Sequence, residues 1–192
     1  RQQGGTSHIT IVDRDGNVVS FTTTIESAFG ARRMVGGFLL NNELTDFSLA
    51  PVEDGRTVAN RVQPGKRPRS SMTPIIVLDR DGRFVLALGS AGGSRIIGDV
   101  LQTLILTLDG GAPLQQAIDT PRLLNRNGPT EIEAHGGADA LAHDLRSLGH
   151  EVVIRRHDGG LHGVRARYDS SGNLLGYEGG ADSRRDGAVR GE

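Results

Sequence analysis

The chain has no cysteine and no tryptophan, and its aromatics are five Phe and two Tyr in 192 residues. Without cysteine there are no disulfides, no thiolate–metal sites and no cysteine nucleophile; the redox compartment stays open. A core this poor in aromatics must be built from Val, Ile and Leu, which suits a sheet covered by helices. Long apolar runs are also missing. The longest candidate, Val100–Leu108, is broken by Gln102 and Thr103 and is far short of the roughly 18 residues a membrane span needs. Charge of one sign is not in excess: 22 basic and 23 acidic residues leave a net charge of −1. That argues against nucleic acid or an anionic membrane as partner, since either favours a basic surface. The N-terminal residues do not read as a secretory leader, as expected of a fragment. The length allows one domain with a core, or one half of a larger one.

What the sequence has in plenty is glycine, 28 residues, and a repeated turn. Strand-forming His8–Val12 and Val18–Ile25 flank Asp13-Arg14-Asp15-Gly16-Asn17. Ile75–Leu78 and Phe84–Leu88 flank Asp79-Arg80-Asp81-Gly82-Arg83, and Val164–Tyr168 and Leu174–Tyr177 flank Asp169-Ser170-Ser171-Gly172-Asn173. Each reads as a hairpin with glycine supplying positive φ. Three such hairpins predict antiparallel sheet rather than βαβ units. Their irregular spacing argues against a solenoid.

Helices are expected from Ser94, as N-cap, to about Leu108, with a broad apolar face of Ile96, Ile97, Val100, Leu101, Leu104 and Ile105. Asp109-Gly110-Gly111 would end it. Two more are expected at Pro113–Ile118 and Ala138–Leu148, followed by a strand at Glu151–Ile154. Leu40–Met72 is a long polar segment without periodicity, a pattern that in compact domains usually marks function. Gly179–Glu192 reads as a tail, or as a segment that orders on a partner.

Three groups offer chemistry. Thr6 follows Gly4-Gly5. A threonine hydroxyl is a weak nucleophile, but if the bond before it is cut its own α-amine becomes the base. The glycines would ease that cut by letting the backbone reach a strained geometry. The plainer reading is that Thr6 only starts a strand. Gly89-Ser90-Ala91-Gly92-Gly93-Ser94 lies between a strand and a helix, where amide N–H groups can face an anion; the plainer reading is a glycine-rich turn. The glycine spacing is neither that of a Walker loop nor that of a Rossmann fingerprint. In the polar segment, Ser70-Ser71 could donate to a carboxylate, and Glu26, Glu43 and Asp46 could accept from an ammonium. Together they would suit a zwitterionic amino acid; the plainer reading, stronger in isolation, is solvated loop charges and a turn-forming serine pair. The six histidines, at 8, 135, 143, 150, 157 and 162, show no metal spacing and read as structural or surface residues.

These segments occur in a familiar order: Thr6-Ser7-His8, Thr22-Thr23-Thr24, Phe29-Gly30, Leu39-Leu40-Asn41-Asn42-Glu43, Asp46-Phe47-Ser48, Lys66 to Pro74, Gly89 to Ile96, and a closing Gly179-Gly180-Ala181-Asp182-Ser183-Arg184-Arg185. Over nearly its full length the chain resembles the small (β) subunit of γ-glutamyltranspeptidases. The resemblance implies an α+β, N-terminal-nucleophile (Ntn) hydrolase fold: an αββα sandwich of antiparallel sheets flanked by helices, formed by the C-terminal half of a precursor. Residues 1–5 would end the large-subunit segment, and 6–192 would be the small-subunit domain. Thr6 would be the nucleophile freed by autocleavage at Gly5–Thr6, and Thr24 the hydroxyl that orients it. Gly92 and Gly93 would hold the oxyanion, Ser70 and Ser71 the substrate α-carboxylate, and Glu26, Glu43 and Asp46 its α-amino group. Glu26 stands where an asparagine is common in the family.

The activity implied is transfer or hydrolysis of γ-glutamyl amides, glutathione among them, with water, an amino acid or a dipeptide as acceptor. No cofactor and no metal are implied. The partner would be the large (α) subunit of the same precursor, and the location periplasmic or secreted. Two alternatives stay open. One is a related acylase, either a cephalosporin (glutaryl) acylase or a poly-γ-glutamate depolymerase. The other is an unprocessed homologue that only binds ligand.

Overall fold

The computed structural model describes residues 5–191. In chain order the strands and helices are β1 (Thr6–Val12), β2 (Val18–Thr24), β3 (Met34–Val35), β4 (Phe38–Leu39), β5 (Val52–Glu53), β6 (Arg56–Thr57), β7 (Ile75–Leu78), β8 (Phe84–Gly89), α1 (Ile96–Leu104), α2 (Leu114–Asp119), β9 (Leu123–Leu124), β10 (Thr130–Glu133), α3 (Ala138–Ser147), β11 (Val152–Arg155), β12 (His162–Tyr168) and β13 (Leu174–Ala181). Residues 1–4, most of the expected precursor end, and residue 192 lie outside the described residues.

The three expected hairpins form, and their turns are built alike. In each, one oxygen of the leading aspartate accepts backbone N–H bonds from the residues two and four further on: Asp15 and Asn17 for Asp13, Asp81 and Arg83 for Asp79, Ser171 and Asn173 for Asp169. The glycine in the fourth place takes φ of 84°, 80° and 83°. A short aspartate that mimics a backbone turn, followed by a glycine in left-handed space, leaves the chain little choice but to reverse.

The central layer is the antiparallel sheet β13-β12-β8-β7. On one face α1 and α2 close a core of Leu86, Leu88, Ile96, Val100, Leu114, Ile118 and Leu161. The β1–β2 hairpin covers the other face, where Ser20 Oγ donates to Leu88 O at 3.3 Å. The described residues therefore stack as helix, sheet and second sheet, an α+β arrangement. A satellite unit packs α3 against β10 and β11 through Ile132, Ala138, Ala142 and Val152. Here the sequence reading needs correction. β10 and β11 are parallel, joined by α3 as a βαβ unit, and β9 and β10 were not foreseen.

Other boundaries shift for physical reasons. Ser94 does not cap a helix. It lies in a 3-10 turn, Gly93–Arg95, and its hydroxyl accepts from Arg126 at 2.5 Å. α1 starts at Ile96 and ends in a wide turn over Ile105–Asp109. Its apolar face is split: Ile96 and Val100 are buried, whereas Ile97, Leu101 and Ile105 stay exposed. The closing segment is no tail. β13 runs on through Gly179–Ala181, and Asp182 is buried, accepting from Leu161 N–H at 3.2 Å. Glycines there permit close contact, since a Cβ on Gly180 would meet Ile118 at 2.6 Å.

The β1–β2 hairpin is inside out. Thr6, His8 and Thr10 point inward with Ser20, Thr22 and Thr24, while Ile9, Ile11, Val19 and Phe21 point outward, each about half exposed at 49–54%. His8 anchors the polar interior, its ring nitrogens 2.8 Å from Thr22 Oγ1 and 3.0 Å from Thr10 Oγ1. Burial, reinforced by His162, lowers its pKa to about 4. A histidine kept neutral in the fold but free to protonate when unfolded contributes stability that is complete above about pH 6.5 and lost as pH falls toward 4. We expect His8 to account for a loss on the order of 3 kcal/mol across that window. His8→Asn should flatten this part of the pH profile in urea unfolding, whereas an unchanged profile would show that His8 is not the titrating group.

Candidate active site

The hairpin register decides what faces Thr6. Antiparallel pairing places it directly opposite Thr24, and the two hydroxyl oxygens are 2.9 Å apart. Thr24 Oγ1 also accepts the Glu26 N–H at 2.8 Å, which fixes its position. Pairing continues upstream: Gly5 N–H donates to Glu26 O, and Ile25 N–H donates to Gly5 O, both at 3.0 Å. The carbonyl just before Thr6 is thereby fixed in the pairing with Ile25. Gly5 is required in this place, because a Cβ there would lie 2.4 Å from Ile25 Cγ1 and 2.9 Å from Ser27 O.

All nine residues singled out from the sequence line one cavity of about 570 Å³: Thr6, Thr24, Glu26, Glu43, Asp46, Ser70, Ser71, Gly92 and Gly93. Gly92 has φ 139° and Gly93 φ 63°, backbone that a side chain would strain. Among the described residues, neither glycine N–H is taken by a protein acceptor. On the serine side, Ser70 Oγ accepts the Met72 N–H at 3.2 Å and keeps its own proton to donate.

The acidic wall is under electrostatic stress. Burial first, then the charges of Asp46 and Glu26, raise the Glu43 pKa above its usual value. Glu43 Oε1 is buried with no hydrogen-bond partner. Glu26 sits at φ 68°, a left-handed conformation that asparagine adopts more readily than glutamate. Its carboxylate is held by Ser27 Oγ at 2.6 Å and Asn42 Nδ2 at 2.5 Å. Asn42 was not foreseen as a supporting residue, although it adjoins Glu43 in the polar segment.

Sequence reasoning also missed part of the lining. Arg69, Arg95, Arg155, Arg156, Asp158, Gly159 and Arg185 line the same cavity. Arg185 bridges two parts of it, donating to Thr6 O at 3.2 Å and to Asp158 O at 3.0 Å. The run Arg155-Arg156-His157-Asp158-Gly159-Gly160, polar and glycine-ended directly after a strand, was the available signal. A second hollow, about 900 Å³, lies along β1 and is lined by His8, His162 and the segment 183–190. It lacks Thr24 and the Gly92–Gly93 turn.

A threonine hydroxyl held by a second hydroxyl, in one cavity with a glycine turn whose N–H groups are free of protein acceptors, is a set of groups suited to acyl transfer. With the stacked sheets, it defines the N-terminal-nucleophile class of hydrolase folds. Comparison with known proteins sharpens this. The model of the gamma-glutamyltranspeptidase family matches residues 1–192, and the chain belongs to that family. It is 40% identical to a glutathione hydrolase proenzyme of Bacillus subtilis over 98% of its own length, while spanning 31% of that protein. An acylase ACY 1 proenzyme of Pseudomonas sp. is 35% identical over 91% of the chain, which spans 30% of it. Among solved structures, gamma-glutamyltranspeptidase of Helicobacter pylori, as its T380A mutant, superposes with a TM-score of 0.82 at 33% identity, covering 93% of this chain and 99% of that one. The chain thus spans about a third of the length of the curated relatives named here.

The stress on Glu43 is directly measurable. Carboxyl-carbon NMR should show Glu43 titrating above the ordinary glutamate value, and Asp46→Asn should bring it back down. A normal value that Asp46→Asn leaves unmoved would contradict the clustered charge.

Proposed function

We propose that this chain is the small-subunit half of a γ-glutamyl-transferring enzyme, residues 6–192, and that residues 1–5 end the preceding segment of its precursor. The observation that carries the reading is the orphaned, buried Glu43 oxygen in a three-carboxylate wall close to a nucleophile-like threonine. Buried acceptors are rarely left unpaired. A substrate ammonium would satisfy this one, while the Ser70 and Ser71 hydroxyls take the α-carboxylate. That combination reads the head of a free amino acid and leaves its γ-carbonyl to reach Thr6. The acidic wall favours this over the related acylase reading, because a glutaryl group has no ammonium to offer.

Chemistry begins with maturation. In the chain described here Thr6 is still joined to Gly5, so its nitrogen is an amide and no base. Attack of the Thr6 hydroxyl on the Gly5 carbonyl, fixed by Ile25 N–H, followed by hydrolysis of the resulting ester, would free the α-amine. In turnover that amine takes the Thr6 hydroxyl proton while the oxygen attacks the γ-glutamyl carbonyl. Thr24 holds the hydroxyl in line. The Gly92 and Gly93 N–H groups face the developing oxyanion, and one such donor is typically worth about 3 to 4 kcal/mol. The leaving amine departs with the proton, and water or an amino acid or dipeptide amine resolves the γ-glutamyl–Thr6 ester. No metal or cofactor enters any step.

The outward apolar face of the hairpin supports a partner. Ile9, Ile11, Val19 and Phe21 form a stripe that would otherwise face water, and covering it calls for a further layer. We assign that layer to the large subunit of the same precursor. Among the described residues no helix is long and apolar enough to cross a membrane. A periplasmic or secreted location belongs to the same reading, on family resemblance.

Coexpression with the upstream half should yield a small subunit beginning at Thr6, and Thr6→Ala should abolish both cleavage and hydrolysis of γ-glutamyl-p-nitroanilide. Arrest at Gly5–Thr6 in the unmutated protein would instead favour the binding-only homologue. Gly5→Ala gives a cleaner separation. It should slow cleavage tenfold or more, because its Cβ collides with Ile25. Once cut, residue 5 is no longer bonded to Thr6 and ends the preceding chain, so the enzyme should turn over normally. The donor KM should rise as pH falls through the raised Glu43 pKa, since the protonated carboxyl no longer attracts an ammonium. Glu43→Gln should raise KM and remove that slope; a KM indifferent to both would count against the ammonium site.

A further inference from the structure

Behind the Gly92–Gly93 turn lies a buried pair that the reaction above does not use. His157 Nε2 is 2.8 Å from Asp99 Oδ2, and the two side chains keep 5% and 1% of their exposure. Asp99 belongs to the first turn of α1, and His157 to the segment joining β11 to β12. The carboxylate sits against the turn itself. A Cβ on Gly92 would lie 3.8 Å from Asp99 Oδ2, and one on Gly159 would lie 2.9 Å from both Asp99 Oδ2 and the His157 ring. The buried Arg122 guanidinium lies within reach of the Asp99 charge. The backbone completes the link. Ala91 N–H donates to Gly160 O at 3.2 Å, and Gly160 N–H donates to Ala91 O at 3.1 Å.

A Gly-Gly turn has no side chains with which to hold its own shape. With Gly92 at φ 139°, its conformation depends on what is packed against it. Here that packing is a hydrogen-bonded His–Asp pair, which is costly to break because each partner would be left buried and uncompensated. Oxyanion donors act through preorganisation, so a turn allowed to relax by a fraction of an ångström loses transition-state stabilisation while substrate binding is spared.

We propose that the His157–Asp99 pair is the positioning device of the oxyanion turn, clamping the start of α1 to the 157–160 segment so that the Gly92 and Gly93 N–H groups stay aimed at the Thr6 site. This rests on the reading of Gly92 and Gly93 as the oxyanion donors.

The test uses the processed protein, made with its upstream half, and steady-state kinetics on γ-glutamyl-p-nitroanilide. His157→Leu keeps the bulk and removes the hydrogen bond. It should lower kcat by about ten- to a hundredfold and leave the donor KM within about twofold. His157→Gln, whose amide can still donate to Asp99, should recover most of that loss. Asp99→Leu should match His157→Leu, and the double variant should be no worse than either single, because both break one interaction. Affinity for the γ-boronic acid analogue of glutamate, which forms a tetrahedral adduct, should fall in parallel with kcat, and affinity for glutamate should hold.

If His157→Leu does not accumulate in processed form, Asp99→Asn decides. It keeps the shape and should lower kcat by about three- to tenfold at constant KM. An unchanged kcat in these variants, a loss confined to KM, or no recovery with glutamine overturns the proposal. Failure of the underlying reading looks different: Thr6→Ala or Gly92→Ala would then remain active. If both are dead and the His157 variants turn over normally, only the positioning role has failed.

Discussion

The register of the first hairpin is the constraint on which the site depends. The Asp13 turn sets Val12 opposite Val18, and six pairs later Thr6 arrives opposite Thr24. Side chains alternate with a period of two, so a slip of one residue would turn Thr6 to the outer face and bring out His8 with it. Bonds to Asn17 do most to hold the Asp13 carboxyl below the usual carboxylate range, as expected of a group fully engaged in its turn. A five-residue turn at one end of the hairpin thus determines which hydroxyl meets which at the other.

The same hairpin leaves an apolar face uncovered among the described residues. A strand pair that turns its hydroxyls and a histidine inward and its Ile, Val and Phe outward cannot be the outer layer of a soluble particle without cost. Polar residues inside are satisfied by one another: His8 by Thr22 and Thr10, Thr6 by Thr24. The interior of the sandwich is therefore polar, and the proposed site opens from it. The cavity is lined both by carboxylates from residues 26–46 and by arginines from around β11 and the C-terminal segment.

Much of this was legible in the sequence, and for identifiable reasons. Turns of the Asp-x-x-Gly type are local, so the three hairpins were readable from five residues each. The nine candidate residues came from local motifs and a family resemblance, and the fold gathers them into one cavity. What escaped depended on distant contacts. Ser94 reads as a helix cap until Arg126 occupies its hydroxyl. Gly179 and Gly180 read as part of a tail, or of a segment ordered by a partner, until Val189 and Ile118 press against them. β10 and β11 are four residues each and parallel, and no local signal announces parallel pairing across a helix. His157 looked like one of six scattered histidines, because its partner Asp99 lies 58 residues away.

The central claim is that Thr6 Oγ carries the acyl group. Quenching the processed enzyme with acid during turnover of a slow γ-glutamyl donor, then mapping peptide masses, tests it most directly. The account predicts a γ-glutamyl adduct on the peptide beginning at Thr6, labile to base as an ester is and absent when Thr6 is replaced. An adduct on another residue, or turnover with no adduct under conditions where deacylation is rate-limiting, would contradict it.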